Sequence, residues 1–240
     1  MSRPGAAGAT VASDSIAACA RQLPAAGIFD DAWLVHEDAH LLVLDKPAGL
    51  LSVPGRGADK ADCRAARVCS CWPEALVVHR LDQATSGLLL MARSAAVQRA
   101  LSSAFAERRV HKRYEALVHG RPSAATDADG WAEIDRPLIV DWPNRPRSKV
   151  DHATGKPSRT RWRLLAHDAA TDTARLALEP VTGRSHQLRV HLLALGHPIV
   201  GDALYGAPDT APRLMLHACA LRLEHPVSGH TLDLRSDVPF

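Results

Sequence analysis

Residues 87–93 read GLLLMAR, an uninterrupted apolar run far too short to cross a bilayer and too apolar to carry a wet face. The run predicts a buried strand. Immediately after it, Ser94 is placed to cap a helix over 95–108, whose apolar residues Val97, Ala100, Leu101, Ala104 and Phe105 recur at three- and four-residue spacing. That helix should lie on the sheet with Arg99, Glu107 and Arg108 outward. Immediately before the run, the stretch HRLDQATSG (79–87) wedges one carboxylate, Asp82, between EALVV and LLLMA. An isolated buried charge is too costly to keep, so Asp82 is either paired or protonated.

The rest of the chain alternates short strands with turns. AWLVHE and HLLVLD flank a two-residue turn and predict a hairpin, and KPAGLLSVPG ends in a glycine-bounded loop. Residues 57–76 suggest a short helix. KRYEALVHG alternates as a strand with Tyr114, Ala116 and Val118 on one face. Residues 121–158 are rich in Pro, Gly and charge, and DWPNRPRSK and DHATGKPS read as exposed loops. TRWRLLAH and TARLALEP predict strands. SHQLRVHLLALGHP predicts a helix closed by Gly196 in a left-handed conformation with Pro198 following. RLMLHACALRLEHPVSGHTLDL predicts two strands around a turn. Strands outnumber helices and short turns join them, so the expected class is α+β with a largely antiparallel sheet. Residues 1–27 read as a flexible Ala/Gly-rich tail without the apolar core of a signal peptide, and 28–240 as one domain.

Five cysteines form an odd set with only Cys69 and Cys71 close together, which is not the paired spacing of a zinc site. Free thiols in a reducing cytoplasm are the expectation. Charge is concentrated in the middle of the chain. Residues 99–121 hold six Lys/Arg against two Glu, and residues 136–163 hold eight against two Asp, whereas the last forty residues hold three Arg against five Asp/Glu. Such a distribution is either solvated surface or a face for a polyanion.

Several chemistries fail on spacing. His79, Asp82 and Ser86 lie close together in sequence, but no G-x-S-x-G elbow accompanies them. TGKPS lacks the rest of a phosphate-binding loop, and GRGADK lacks the third glycine of a dinucleotide fingerprint. His186 and His191 are five apart, roughly 140° around a helix, so they cannot share a metal as an i, i+4 pair would. Structural or RNA-contacting roles suit them better. Arg184 at the start of a helix opposes the helix dipole and should point at a carboxylate or phosphate. Pairing it with Asp82 would keep that carboxylate ionised in a low-dielectric pocket. Tyr114, between basic neighbours Lys112 and Arg113 and Glu115, is either a half-buried sheet tyrosine or a flat ring where a polyanion lies.

The ordered motifs HRLDQATSGLLLMARS, KRYEALVHG, GRSHQLRVHLLALGHPIVGDALYG and RLMLHA, with LDKPAGLLSVPG before them, closely resemble the RluA family of pseudouridine synthases, from about Trp33 to Phe240. DWPNRPRSKV followed by TGKPSRT, and no amino-terminal S4 RNA-binding domain, are most similar to the founding member, which modifies a hairpin-loop uridine in large-subunit rRNA and one in the anticodon stem-loop of certain tRNAs. The resemblance implies the pseudouridine synthase catalytic fold, an isomerase that flips its target base, and RNA as partner, with neither cofactor nor metal. It further implies a cytoplasmic monomer acting at neither membrane nor DNA. Among the residues, it implies Asp82 as the essential aspartate, acting at ribose C1′ or C2′. Tyr114 would stack on the base and serve, directly or through water, in removing the C5 proton. Arg184 would pair with Asp82, Leu216 would wall the pocket, and Arg80 would enter the space left by the flipped nucleotide. Lys112, Arg145, Arg147 and Lys149 are the expected phosphate contacts. A non-catalytic RNA-binding or ribosome-assembly factor that kept the fold is the alternative.

Overall fold

The computed structural model describes residues 29–54, 62–207 and 210–240; the tail expected over 1–27 lies outside the described residues. Strands β1 (Leu34–Glu37) and β2 (Leu41–Lys46) form the expected antiparallel hairpin. Helix α1 (Arg64–Cys71) follows, then β3 (Leu76–Val77) and β4 (Ser86–Ala92). Helix α2 (Ala95–Ala106) begins where Ser94 Oγ accepts the Val97 N–H at 3.3 Å, as the spacing predicts. Then come β5 (His111–His119), β6 (Ala132–Asp135), β7 (Leu138–Val140), β8 (Ser148–Val150), β9 (Arg159–Asp168) and β10 (Thr173–Pro180). Helix α3 (Gln187–Ala194) and strands β11 (Leu216–Glu224) and β12 (Thr231–Arg235) close the chain.

Ten strands make one sheet whose main order is β1-β2-β4-β11-β5-β10-β9-β6, with β3 on β4 and β12 on β11. Among the described residues every strand pair but one is antiparallel; β4 and β11 run parallel, over His217↔Ser86 and Ala218↔Gly87. The α+β expectation therefore holds, with a mixed sheet. Strands β7 and β8 form a separate hairpin. The loop reading of 121–158 missed β6, β7 and β8: each has only three or four residues, too few for alternation to outweigh the surrounding Pro and Gly. The stretch DWPNRPRSK is nonetheless largely the tip of that hairpin.

Strand β4 is buried along its whole length, and its alternation assigns its side chains to different layers. Leu88, Leu90 and Ala92 pack with Val97, Leu101 and Ala104 of α2, while Met91 packs with Leu42, Leu44 and α1 residues Ala65 and Val68. Leu89 instead meets Leu81 and Ala218, with Tyr114 against them. In the other half, α3 covers β5, β9 and β10 through Leu188 and Leu192, packed with Ala116, Trp162 and Leu176. The two halves meet at the short β4–β11 pairing. There Gly87 has φ +108, and a Cβ on it would stand 2.4 Å from the carbonyl oxygen of Ala218. Only glycine lets β11 approach that closely. The segment carrying Asp82 enters β4 at this junction.

Candidate active site

Asp82 lies in the loop between β3 and β4, and that loop is held from both sides. Ser52 Oγ donates to the Leu81 carbonyl at 2.7 Å and accepts the Leu81 N–H at 3.1 Å. Lys46, fully buried at the end of β2, donates to the carbonyls of Pro47, Leu50 and Gln83 at 2.9, 2.7 and 3.0 Å. Burial and then the nearby Arg64 charge push this lysine down to about 7. The three carbonyl bonds tie the loop after β2 to the residue following Asp82. Thr85 N–H donates to the Asp82 carbonyl at 3.1 Å and closes the turn.

The cation facing the Asp82 carboxylate is Arg189, not Arg184. Arg189 Nη1 stands 3.6 Å from Asp82 Oδ2, and His186 Nε2 stands 3.9 Å from Oδ1. Arg184 is exposed on the turn before α3, with its Nε on the Pro157 carbonyl at 3.4 Å. The expected pairing fails because α3 starts at Gln187, so Arg184 precedes the helix and faces outward, whereas Arg189 points inward from its first turn. Arg189 is bidentate to Asp202, Nε to Oδ2 at 2.8 Å and Nη2 to Oδ1 at 2.6 Å. Burial works against the guanidinium's charge, but the Asp202 bonds, with Asp82 adding, outweigh it and hold Arg189 above its ordinary value. Asp202, 0% exposed, also accepts the N–H groups of Leu204 and Tyr205 at 3.0 and 3.1 Å. Asp82 is thus the exposed end of a buried Asp202–Arg189 pair, with its oxygens beyond direct hydrogen-bond distance and free to meet a substrate.

Tyr114 projects from β5, half-buried and packed against both Leu216 and the Leu81–Leu89–Ala218 cluster. Burial, the Asp82 charge and Cys219 push its hydroxyl well above the usual phenol range, so it stays a neutral ring. Leu216 is buried beside it on β11. Arg80 is exposed, and Lys112 is half-buried beneath Phe105, its Nζ 5.9 Å from the ring centroid; burial lowers its pKa. All of these, Arg184 included, line one cleft of about 1960 Å³. Arg145, Arg147 and Lys149 do not; they project from the β7–β8 hairpin, of which Pro146 alone reaches the cleft. There the Arg145 guanidinium lies 3.4 Å from the ring centroid of Trp142, which is 63% exposed.

The histidines and Ser86 settle differently. His191 is fully buried and bonds Thr160 Oγ1 and the Arg136 carbonyl, a structural role. His79 accepts the Leu90 N–H at 3.0 Å and is pushed down to about 3 by burial and then Lys112. Ser86 bonds His217 and Arg213, so the hydrolase constellation does not assemble. Sequence reasoning missed Lys46, Arg189, Asp202 and Tyr205. Arg189 had a signal: an arginine inside the apolar helical run LRVHLL must find a carboxylate.

Ten Lys/Arg against three Asp/Glu line the cleft, a charge balance that suits a polyanion held against the Asp82 carboxylate. Residues 40–194 match the model of the RNA pseudouridylate synthase family. Over 213 residues, 87% of this chain and 94% of the relative, the protein is 47% identical to the "Dual-specificity RNA pseudouridine synthase RluA" of Escherichia coli. It is 44% identical to the protein of that name from Yersinia pestis over 86% of this chain and 99% of the relative. Among solved structures, "Human RNA Pseudouridylate Synthase Domain Containing 1" superposes with a TM-score of 0.70 at 31% identity, covering 86% of this chain and 83% of that one. The chain belongs to the RNA pseudouridylate synthase family, and it is an isomerase acting on RNA.

Proposed function

We propose that the protein isomerises uridine to pseudouridine in stem-loops of large-subunit rRNA, of the tRNA anticodon arm, or of both. The observation that carries this reading is a carboxylate, Asp82, set against Arg189 and a neutral Tyr114 at the floor of a basic cleft. The N1–C1′ bond of uridine breaks, the base turns, C5 bonds to C1′, and a proton leaves C5 while N1 gains one. Atoms balance within the nucleotide, so the reaction needs no redox carrier. Asp82 attacks C1′ or removes the C2′ proton. Tyr114 and Leu216 sandwich the flipped base; Tyr114, a neutral phenol at rest, stacks on it and serves, directly or through water, in removing the C5 proton. Extrusion costs a few kcal/mol and is smallest in a loop, and Arg80, exposed at the cleft and without an ion pair among the described residues, is available to occupy the vacated stack. Arg184 at the rim is a phosphate contact in this reading. Asp82, Arg189 and Tyr114 come together within one chain, which suits a monomer, and rRNA and tRNA as substrates suit a cytoplasmic enzyme. A non-catalytic RNA-binding role gives the buried Asp202–Arg189–Asp82 array no purpose and is not favoured.

Tritium release from tRNA and rRNA hairpins labelled at C5 of uridine tests the reading. Release from at least one of the two substrates is expected; no release from either, with binding intact, would overturn it. The hairpin carries a second prediction. Neutralising Arg145, Arg147 and Lys149 together should weaken binding to hairpins of any sequence and reduce the slope of log K against log[salt] by roughly 2, at about 0.7–0.9 per lost phosphate contact. An unchanged slope in filter binding places the RNA elsewhere on the surface.

A further inference from the structure

His186 is the residue of this site with no assigned task. It occupies a left-handed backbone conformation, φ 55, at the N-cap of α3, and its side chain caps nothing. A non-glycine residue there is strained, and the surroundings must hold it in place. Its ring is fixed from one side: Nδ1 lies 2.8 Å from the Tyr205 hydroxyl, with the two rings edge to face at 5.6 Å. The Tyr205 oxygen already accepts the Ser148 N–H at 2.6 Å, from the first residue of β8. Its own proton needs an acceptor, and His186 Nδ1, 2.8 Å away, is placed to be that acceptor. A hydrogen bond received at Nδ1 puts the imidazole proton on Nε2, and Nε2 is the atom aimed at Asp82 Oδ1. Tyr205 is itself positioned by the same elements that hold Arg189. Its N–H bonds Asp202, and the Arg189 guanidinium lies 5.0 Å from its ring centroid.

We propose that His186 is a positioning residue for Asp82, held as the Nε2–H tautomer by the Tyr205 hydroxyl, whose direction is set by the backbone of the β7–β8 hairpin. The neutral N–H and the Arg189 charge then bracket the two carboxylate oxygens, one each. Of the groups facing His186, Asp82 and Asp202 favour its protonation and Arg189 opposes it, while burial is the largest influence and keeps the ring neutral. Hydrogen bonds run from the Ser148 N–H to the Tyr205 hydroxyl and on to His186, and a 3.9 Å approach carries the chain of contacts from His186 to Asp82, so the hairpin bearing Arg147 and Lys149 is linked to the catalytic carboxylate through one ring. The inference rests on Asp82 being the catalytic group.

Three variants of the full-length protein and one spectrum test it. His186→Leu and His186→Gln bear similar backbone strain at φ 55, but only glutamine places an N–H near the Nε2 position. His186→Leu should lower single-turnover kcat on the order of 30-fold, the scale of losing orientation at a reacting group, with KM for an RNA hairpin unchanged, and His186→Gln should recover most of it. Tyr205→Phe should lower kcat about tenfold, again without a KM change. Nitrogen-15 NMR of imidazole-labelled protein should show His186 protonated at Nε2 and bare at Nδ1 in the wild type, and a tautomer mixture in Tyr205→Phe. Equal kcat for His186→Leu and His186→Gln, a rise in KM alone, or a wild-type ring protonated at Nδ1 would each overturn the proposal. A wild-type protein that releases no tritium would overturn the isomerase reading instead, and the spectrum, which needs no turnover, still decides the tautomer. If the variants fold poorly, the wild-type spectrum alone carries the decision.

Discussion

Asp82→Asn should abolish turnover while leaving both the fold and RNA binding nearly intact. Asparagine has the same shape but can neither attack C1′ nor accept a proton at C2′, so either route for the carboxylate loses its acting group. The expected loss in single-turnover tritium release is roughly 10⁴-fold or more, about 5.5 kcal/mol of transition-state stabilisation. Stability should change little, because Arg189 keeps both bonds to Asp202 and Asp82 itself is 28% exposed. Binding should hold within a few-fold and can tighten. In the proposed reading the basic residues of the cleft and hairpin grip the RNA, and removing a negative charge from the cleft takes repulsion away from the phosphates. Filter binding and tritium release on the same preparation separate the two quantities. A binding loss as large as the rate loss would mean that Asp82 organises the cleft rather than reacts within it.

Much of the fold was legible because its signals are local. The β1–β2 hairpin, α2 with its Ser94 cap, β5, β9, β10, α3 and the closing pair β11–β12 each carry their own period, cap or turn. What escaped is non-local or too short to have a period. The parallel contact of β4 with β11 joins residues far apart in sequence, and only the glycine at 87, where the two strands come close, hints at it. Strands β6 to β8 are stabilised by their partners rather than by their own sequence. The same distinction holds in the site. Asp82 stood out because a carboxylate between apolar runs needs a partner, and Tyr114 because its strand alternates. The identity of the partner depended on where α3 begins, and a shift of three residues in that start exchanges Arg184 for Arg189. His186, Tyr205 and Asp202 matter through one another, a relation that spacing cannot reveal.

The exchange of arginines leads to an asymmetric prediction: Arg189→Gln should cripple the enzyme and Arg184→Gln should not. Arg184 is exposed and holds one long bond to a backbone carbonyl, so its loss should raise KM for RNA about two- to fivefold, as expected for one weakened phosphate contact, with kcat retained. Arg189 is 4% exposed between two carboxylates. Its removal leaves Asp202 charged and fully buried with only two backbone N–H groups, a cost of ~3–5 kcal/mol, which at this chain length lowers Tm by roughly 10 °C. It also strips Asp82 of its facing charge, so kcat should fall by about 10² or more, the scale of losing a preorganised electrostatic partner. Stability and chemistry are separable with a second change. Arg189→Gln combined with Asp202→Asn removes the stranded charge while the Asn oxygen can still accept from Leu204 and Tyr205, so most of the Tm should return. Activity should not return, because Asp82 still lacks its guanidinium. Recovery of rate along with Tm would show that Arg189 serves the fold alone, and a loss of kcat in Arg184→Gln equal to that in Arg189→Gln would restore Arg184 as the partner of the carboxylate.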